Sequence, residues 1–270
     1  MTPTLQMRAT RPWALSVGWL VEHGFGLKRR PWPTRPWALT GCLLLAALAS
    51  PLAHSQSACS NDGQPAPGVL FERFINADCA ACWRDPATPT APPDALALDW
   101  IVPGSQGDDA ALAAASSSDA LARLAELQRL RPATQDHQAS AVTAWPGAAL
   151  RLAHGTAVGN YIGVLISLSV PQSASLALPP TGWVVLLEAL PSGTEASPVP
   201  RYLVRNALQP LWDKREQLSN QDRLSFSETR AMSFPNSAQA GRLRLAGWVQ
   251  DAKGRILTAA LSACPAEDKD

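Results

Sequence analysis

From residue 161 onward the chain is cut into six strand-length segments, at 162–170, 183–190, 201–208, 224–234, 242–249 and 255–263, separated by proline-rich or polar turns. No convincing helical segment intervenes. A run of this kind has few folded outcomes, because successive antiparallel strands must bury one face against a second sheet, and an immunoglobulin-like antiparallel β-sandwich is the expected one. The firmest local expectation is a hairpin near the end. There Leu243, Leu245, Gly247 and Val249 alternate with Arg242, Arg244, Ala246 and Trp248, and Asp251-Ala252-Lys253-Gly254 turns into the last strand.

The segment before residue 155 has a different texture. Val69-Leu70-Phe71-Glu72-Arg73-Phe74-Ile75 is an apolar run of strand length, 95–102 is a second, and Pro103-Gly104 closes it. Ser118-Asp119 starts a helix whose stripe is Ala120, Leu121, Leu124, Leu127 and Leu130, and Arg131-Pro132 ends it. A loop over 135–140 then leads to Val142-Thr143-Ala144-Trp145-Pro146-Gly147 and a short run at 148–153. The expected organisation is α+β, with an α/β domain over 56–155, the sandwich over 156–264 and an acidic tail over 265–270.

Lys28, Arg29, Arg30 and Arg35 precede an apolar run over 37–49, and small residues follow to Ser57. This order is that of a secretory signal, with cleavage after Ala49 or, preferred, after Ser55. The run is shorter than the roughly 20 residues of a spanning helix, so no stable transmembrane anchor is expected. Leu39-Thr40-Gly41-Cys42 has the form of a lipidation box, but the apolar run continues past the cysteine. The expected location is periplasmic or secreted. Residues 1–55 hold six Lys or Arg and one acid, which leaves 17 basic against 21 acidic residues for 56–270. That balance argues against a nucleic-acid partner.

Without Cys42, four cysteines remain: Cys59, Cys79, Cys82 and Cys264. An even number suits an oxidising compartment. Cys79-Ala80-Ala81-Cys82 is a close pair, so the natural pairing of the other two, near the two ends of the folded region, is a structural disulfide between Cys59 and Cys264, the alternative being that both stay free. A Cys-x-x-Cys directly after a buried strand is also the arrangement of thioredoxin-like redox proteins, in which a following helix aims its N-terminus at the first thiol and stabilises the thiolate. Cys79 is then the nucleophile and Cys82 the resolver, with Pro146 where such folds place a cis-proline beside the cysteines.

On these residues the chain resembles a family of uncharacterised secreted proteins of Gram-negative bacteria that join a thioredoxin-like domain to a β-sandwich. The matching segments are Val69 to Ile75 with Cys79 to Cys82, Leu203-Val204-Arg205-Asn206-Ala207-Leu208, and the hairpin from Gly247-Trp248-Val249-Gln250-Asp251 to Leu261. Some members carry a cysteine near each end of the module, as Cys59 and Cys264 stand here. The resemblance implies a thioredoxin-like fold in the first domain. The sequence departs from the family after Cys82, where Trp83-Arg84-Asp85-Pro86 and then Pro89, Pro92 and Pro93 leave no room for an ordinary helix. The domain is therefore read as degenerate, and Asp78 beside Cys79 disfavours its thiolate unless Arg84 offsets it.

His137 and His154 show no metal-ligand spacing, and loop histidines are expected in preference to a copper or zinc site with Cys79 and Cys82; no metal or cofactor is called for. Trp83, Trp100 and Trp145 are read as core or rim residues, with a groove around the cysteines as the alternative. The expected function is that of an exported envelope protein with a non-enzymatic binding or structural role. The competing expectation is a thiol-disulfide oxidoreductase using Cys79 and Cys82, whose partners are other exported proteins reached by thiol exchange.

Overall fold

The computed structural model describes residues 59–171, 180–212, 218–220 and 223–265; the export segment with its cleavage points and Cys42, and the acidic tail from 266, lie outside them. The order is β1 (Cys59–Ser60), β2 (Val69–Asn76), α1 (Ala80–Trp83), β3 (Ala95–Val102), α2 (Ser118–Glu126), β4 (Gln135–Ala141), β5 (Ala149–Val158), β6 (Tyr161–Pro171), β7 (Thr181–Leu190), β8 (Arg201–Leu208), β9 (Leu218–Asn220), β10 (Arg223–Ser233), β11 (Leu243–Gln250) and β12 (Ile256–Leu261). Among the described residues no helix is long and apolar enough to cross a membrane.

Two sheets carry these strands. One has the order β1-β5-β6-β10-β9 and is antiparallel throughout, while the other runs β12-β11-β7-β8-β3-β2-β4. In the second, β2–β3 and β3–β8 are the parallel pairs. The expected thioredoxin-like α/β domain is therefore overturned: the fold is mainly β and sandwich-like. The physical reason lies in two places. Prolines from Pro86 onward stop α1 after four residues, so β2 and β3 have no crossover helix of useful length. The open edge of β3 is then taken by β8 from the far half of the chain, Asp99 opposite Leu203, and the expected boundary near 155 falls inside β5.

The large sheet is covered on both faces. Over its β7–β11–β12 half lies the smaller sheet, with alternate residues of β6 (Ile162, Val164, Ile166, Leu168, Val170) packed against Val184, Leu186, Leu243 and Leu245. On the opposite face α2 inserts Ala120 and Leu124 among Leu70, Phe74, Leu98, Trp100 and Trp248. A third apolar cluster, with Ile75, Cys82, Trp83, Ile101 and Leu203, seats the Cys79–Trp83 turn on the β2–β3–β8 half. Each buried aliphatic or aromatic side chain contributes on the order of 1.5–3 kcal/mol relative to exposure.

Helix α2 begins where Ser117 accepts a bond from the Asp119 amide, and Asp119 in the first turn complements the helix dipole. It stops earlier than its leucine stripe suggests. Gln128 adopts φ 55 and Leu130 is 90% exposed, so the stripe beyond Leu127 is not a packed face. At the centre of the helix Arg123 is buried and donates two bonds to the buried Glu72, at 2.9 and 2.7 Å, while its guanidinium lies 4.9 Å from the Trp248 ring. Trp100 Nε1 donates to the same carboxylate at 3.2 Å, and Gln250 joins Arg123 to Glu126. A buried ion pair is thus fully supplied with partners beneath the helix.

Gly247 lets β11 lie close both to its neighbour β7 and to Leu152 of the facing sheet. A Cβ there would stand 2.8 Å from the Trp183 carbonyl oxygen and 3.0 Å from a Leu152 methyl, inside ordinary contact on both sides. Gly247→Ala should destabilise the protein by about 1–3 kcal/mol through overpacking, read as a lower urea midpoint with unchanged slope.

Candidate functional site

The site is built on the end of β2. Asn76 Oδ1 accepts from the Asp78 amide, the Asn76 carbonyl accepts from Cys79 N, and the chain turns into the single turn of α1. Cys79 caps this turn, its sulfur accepting from Cys82 N at 3.2 Å, and Cys79 and Cys82 are joined in a disulfide. Cys82 is buried at 8% exposure and Cys79 is half-buried.

Trp83 is fixed on several sides. Its Nε1 donates to the Glu195 carbonyl at 2.7 Å, and its own carbonyl accepts from Arg201 at 3.0 Å. The Arg201 guanidinium also lies 4.9 Å from the Trp83 ring centre. Arg201 in turn reaches Asp99 at 3.2 Å, and Arg73 grips the same carboxylate with two bonds at 2.7 and 2.8 Å. All three side chains are buried, two cations to one anion, and burial holds the Arg201 guanidinium below its ordinary pKa against the pull of Asp99. β2, β3 and β8 are thereby tied to the cysteine turn.

Asp78 does not face the disulfide alone. Its carboxylate accepts from the Ser105 hydroxyl and from the Ser105 and Gln106 amides, and the Ser105 hydroxyl bond chiefly holds its pKa below the usual carboxylate range. Arg131 adds a favourable charge. Asp78 is thus a loop-anchoring carboxylate that stays ionised next to Cys79.

Beside Trp83 opens a pocket of about 310 Å³ lined by Ile101, Leu112, Ala115 and Leu203, with Glu195 and Arg205 among its walls. The β7–β8 connection that forms one side is strained, since Glu195 and Ala196 hold φ of 50° and 59° without being glycine. Each such residue costs on the order of 1–2 kcal/mol. The conformation lets Glu195 offer its carbonyl to Trp83 and its carboxylate to Arg205 at 2.8 Å, and Arg205 also pairs with the buried Glu188.

The other expected site residues fall elsewhere. Pro146 is not brought to the cysteines: β4 runs antiparallel to β2, so its start lies by Asn76, whereas Val142 bonds Gly68 at the far end of β2, and Pro146 follows from there into β5 of the other sheet. Eight residues of strand, roughly 25 Å, separate the two ends. Trp100 is a core residue under α2, and Trp145 packs against the inter-sheet core, so Trp83 is the one of the three tryptophans at the cysteines. His137 sits on the edge strand β4, its ring 5.8 Å from that of Phe71.

Cys59 and Cys264 form a disulfide across a separation of 205 residues. The register of β1 on β5 sets His154 directly opposite Cys59, and donor atoms of Cys59, Cys264 and His154 lie within 4.8 Å of one another. His154 is buried at 5% exposure; its Nδ1 is 3.1 Å from the Gly155 carbonyl and must carry the proton, and Nε2 has no hydrogen-bond partner among the described residues. Burial holds its pKa below the ordinary value, so the ring is neutral. Sequence reasoning missed this grouping because only the pairing of a two-residue strand with β5 brings positions 59 and 154 together.

No protein-family model and no curated protein matches the chain. Among solved structures, a domain of the outer membrane lipoprotein Omp28 from Porphyromonas gingivalis is similar at 14% identity, over 46% of this chain and 95% of that one, with a TM-score of 0.27. A superposition that loose leaves function to be argued from the residues.

Proposed function

We propose that the chain is an exported envelope protein that works by binding, through the pocket beside Trp83, with Cys79–Cys82 as a staple of that pocket. Export is supported by the basic, apolar, small order of residues 28–57 and by two disulfides among the described residues, which persist in oxidising compartments. The observation that carries the binding role is the clamping of Trp83. Its indole is held by a loop that carries backbone strain, and its carbonyl and ring face are held by Arg201 at the start of β8, beside an open pocket. The ligand class that fits is a short apolar segment or a small apolar group, with polar contacts at Glu195 and Arg205.

Thiol-disulfide exchange is the competing reading, favoured by Cys79 being half-buried and not fully enclosed. Against it stand two features: α1 ends after one turn and gives little dipole field, and Asp78, the residue preceding Cys79, is ionised.

The pocket is tested with the neutral fluorescent probe N-phenyl-1-naphthylamine. The wild-type chain should bind it with enhanced emission, and Ala114→Phe, which fills the pocket from an exposed position on its wall, should weaken binding about tenfold or more at an unchanged Tm. Equal binding by the two proteins would place the probe elsewhere and remove the pocket as the binding surface.

A further inference from the structure

We propose that Cys59, Cys264 and His154 form a zinc site that becomes available when the Cys59–Cys264 disulfide is reduced. This goes beyond the binding role of the Trp83 pocket and does not depend on it. Three donors of the types zinc prefers already lie within 4.8 Å of one another. His154 is the telling member. Its Nδ1–H is committed to the Gly155 carbonyl, which is how a zinc-bound imidazole is ordinarily oriented, and its buried Nε2 has no hydrogen-bond partner among the described residues. A buried acceptor without a donor costs on the order of 1–3 kcal/mol.

In the disulfide state both sulfurs bond each other and offer no charge to a cation. An external dithiol reduces the pair: its two thiols become a disulfide, the Cys59–Cys264 bond breaks, and two cysteine thiols form. Zinc then takes both as thiolates, releasing two protons, with Nε2 of the neutral His154 as third ligand. Zn–S bonds of about 2.3 Å place two sulfurs about 3.8 Å apart in tetrahedral geometry, a separation that rotation of the freed side chains supplies. The groove bordered by Cys59, His154, Gly241 and Cys264, about 330 Å³, leaves space for a water as fourth ligand. Because protons are released, affinity should rise with pH.

The experiment uses the full chain with Cys42, Cys79 and Cys82 changed to Ser, so that Cys59 and Cys264 are the remaining cysteines. Zinc alone is the ligand, measured by equilibrium dialysis and metal analysis, with cobalt as spectroscopic stand-in. The oxidised protein should bind none. After reduction it should bind one zinc per chain, show thiolate-to-cobalt charge-transfer absorption, and gain Tm on zinc addition. His154→Gln, its fold checked by the Tm of the oxidised form, should lose at least about 100-fold in zinc affinity. Reduced protein that takes up no zinc, that unfolds and is not refolded by zinc, or that binds zinc equally well with His154→Gln would each overturn the site.

Discussion

Arg123→Met should be among the most damaging single substitutions, lowering stability by about 3–5 kcal/mol, because it strands a fully buried Glu72 carboxylate whose two strongest bonds come from that guanidinium. The loss should be read as a shift of the urea midpoint. Most of the damage comes from the orphaned charge and not from loss of a favourable pair, so Glu72→Met combined with Arg123→Met should recover the greater part of it. Trp100 Nε1, which loses its acceptor in the double variant, sets a residual cost of about 1–3 kcal/mol. If the double variant were as unstable as the single one, the helix would instead depend on Arg123 for its stacking over Trp248.

The second large effect is expected at the termini of the described region. Changing Cys59 and Cys264 to Ser removes a cross-link over 205 residues and should cost up to about 5 kcal/mol in the absence of metal. The same change at Cys79 and Cys82 opens a far smaller loop and should cost about 2 kcal/mol or less. Denaturant midpoints of the two double variants, compared with the oxidised parent, check both values. A larger loss at Cys79 and Cys82 would mean that their disulfide holds the Trp83 clamp together.

The sequence and the structure agree where a local signal decides the outcome. The six segments after 161 are all strands to within a few residues, since each alternates or is continuously apolar between turn residues. β4, expected as a loop, escaped because Gln-Asp-His-Gln-Ala-Ser-Ala has no apolar face, and among the described residues it is an edge strand paired with β2 alone. The partnering of β3 with β8 was equally illegible, because β3 is buried on both faces and its apolar run gives no hint of which edge is free. That one pairing turns a local strand-turn-strand order, which reads as thioredoxin-like, into part of a sandwich.

At the site, Cys79 and Cys82 were visible from their spacing, and the interruption after Cys82 from its prolines. Arg73, Asp99 and Arg201 were not, since charged residues inside apolar strands read as exceptions until their partners 26 and 102 positions away are known. Arg205 stood inside a recognised segment, but its pairing with Glu188 and Glu195 depends on the strained β7–β8 connection.

The central claim is that the Cys79–Cys82 disulfide supports a binding surface and is not a working redox pair. Reduction of insulin by dithiothreitol, followed as turbidity at neutral pH, tests it most directly. The protein should leave the lag before precipitation where the blank has it, because Cys79 has an ionised Asp78 beside it and only one helical turn behind it. A lag shortened in proportion to the protein added, and restored to the blank by Cys79→Ser, would contradict the claim.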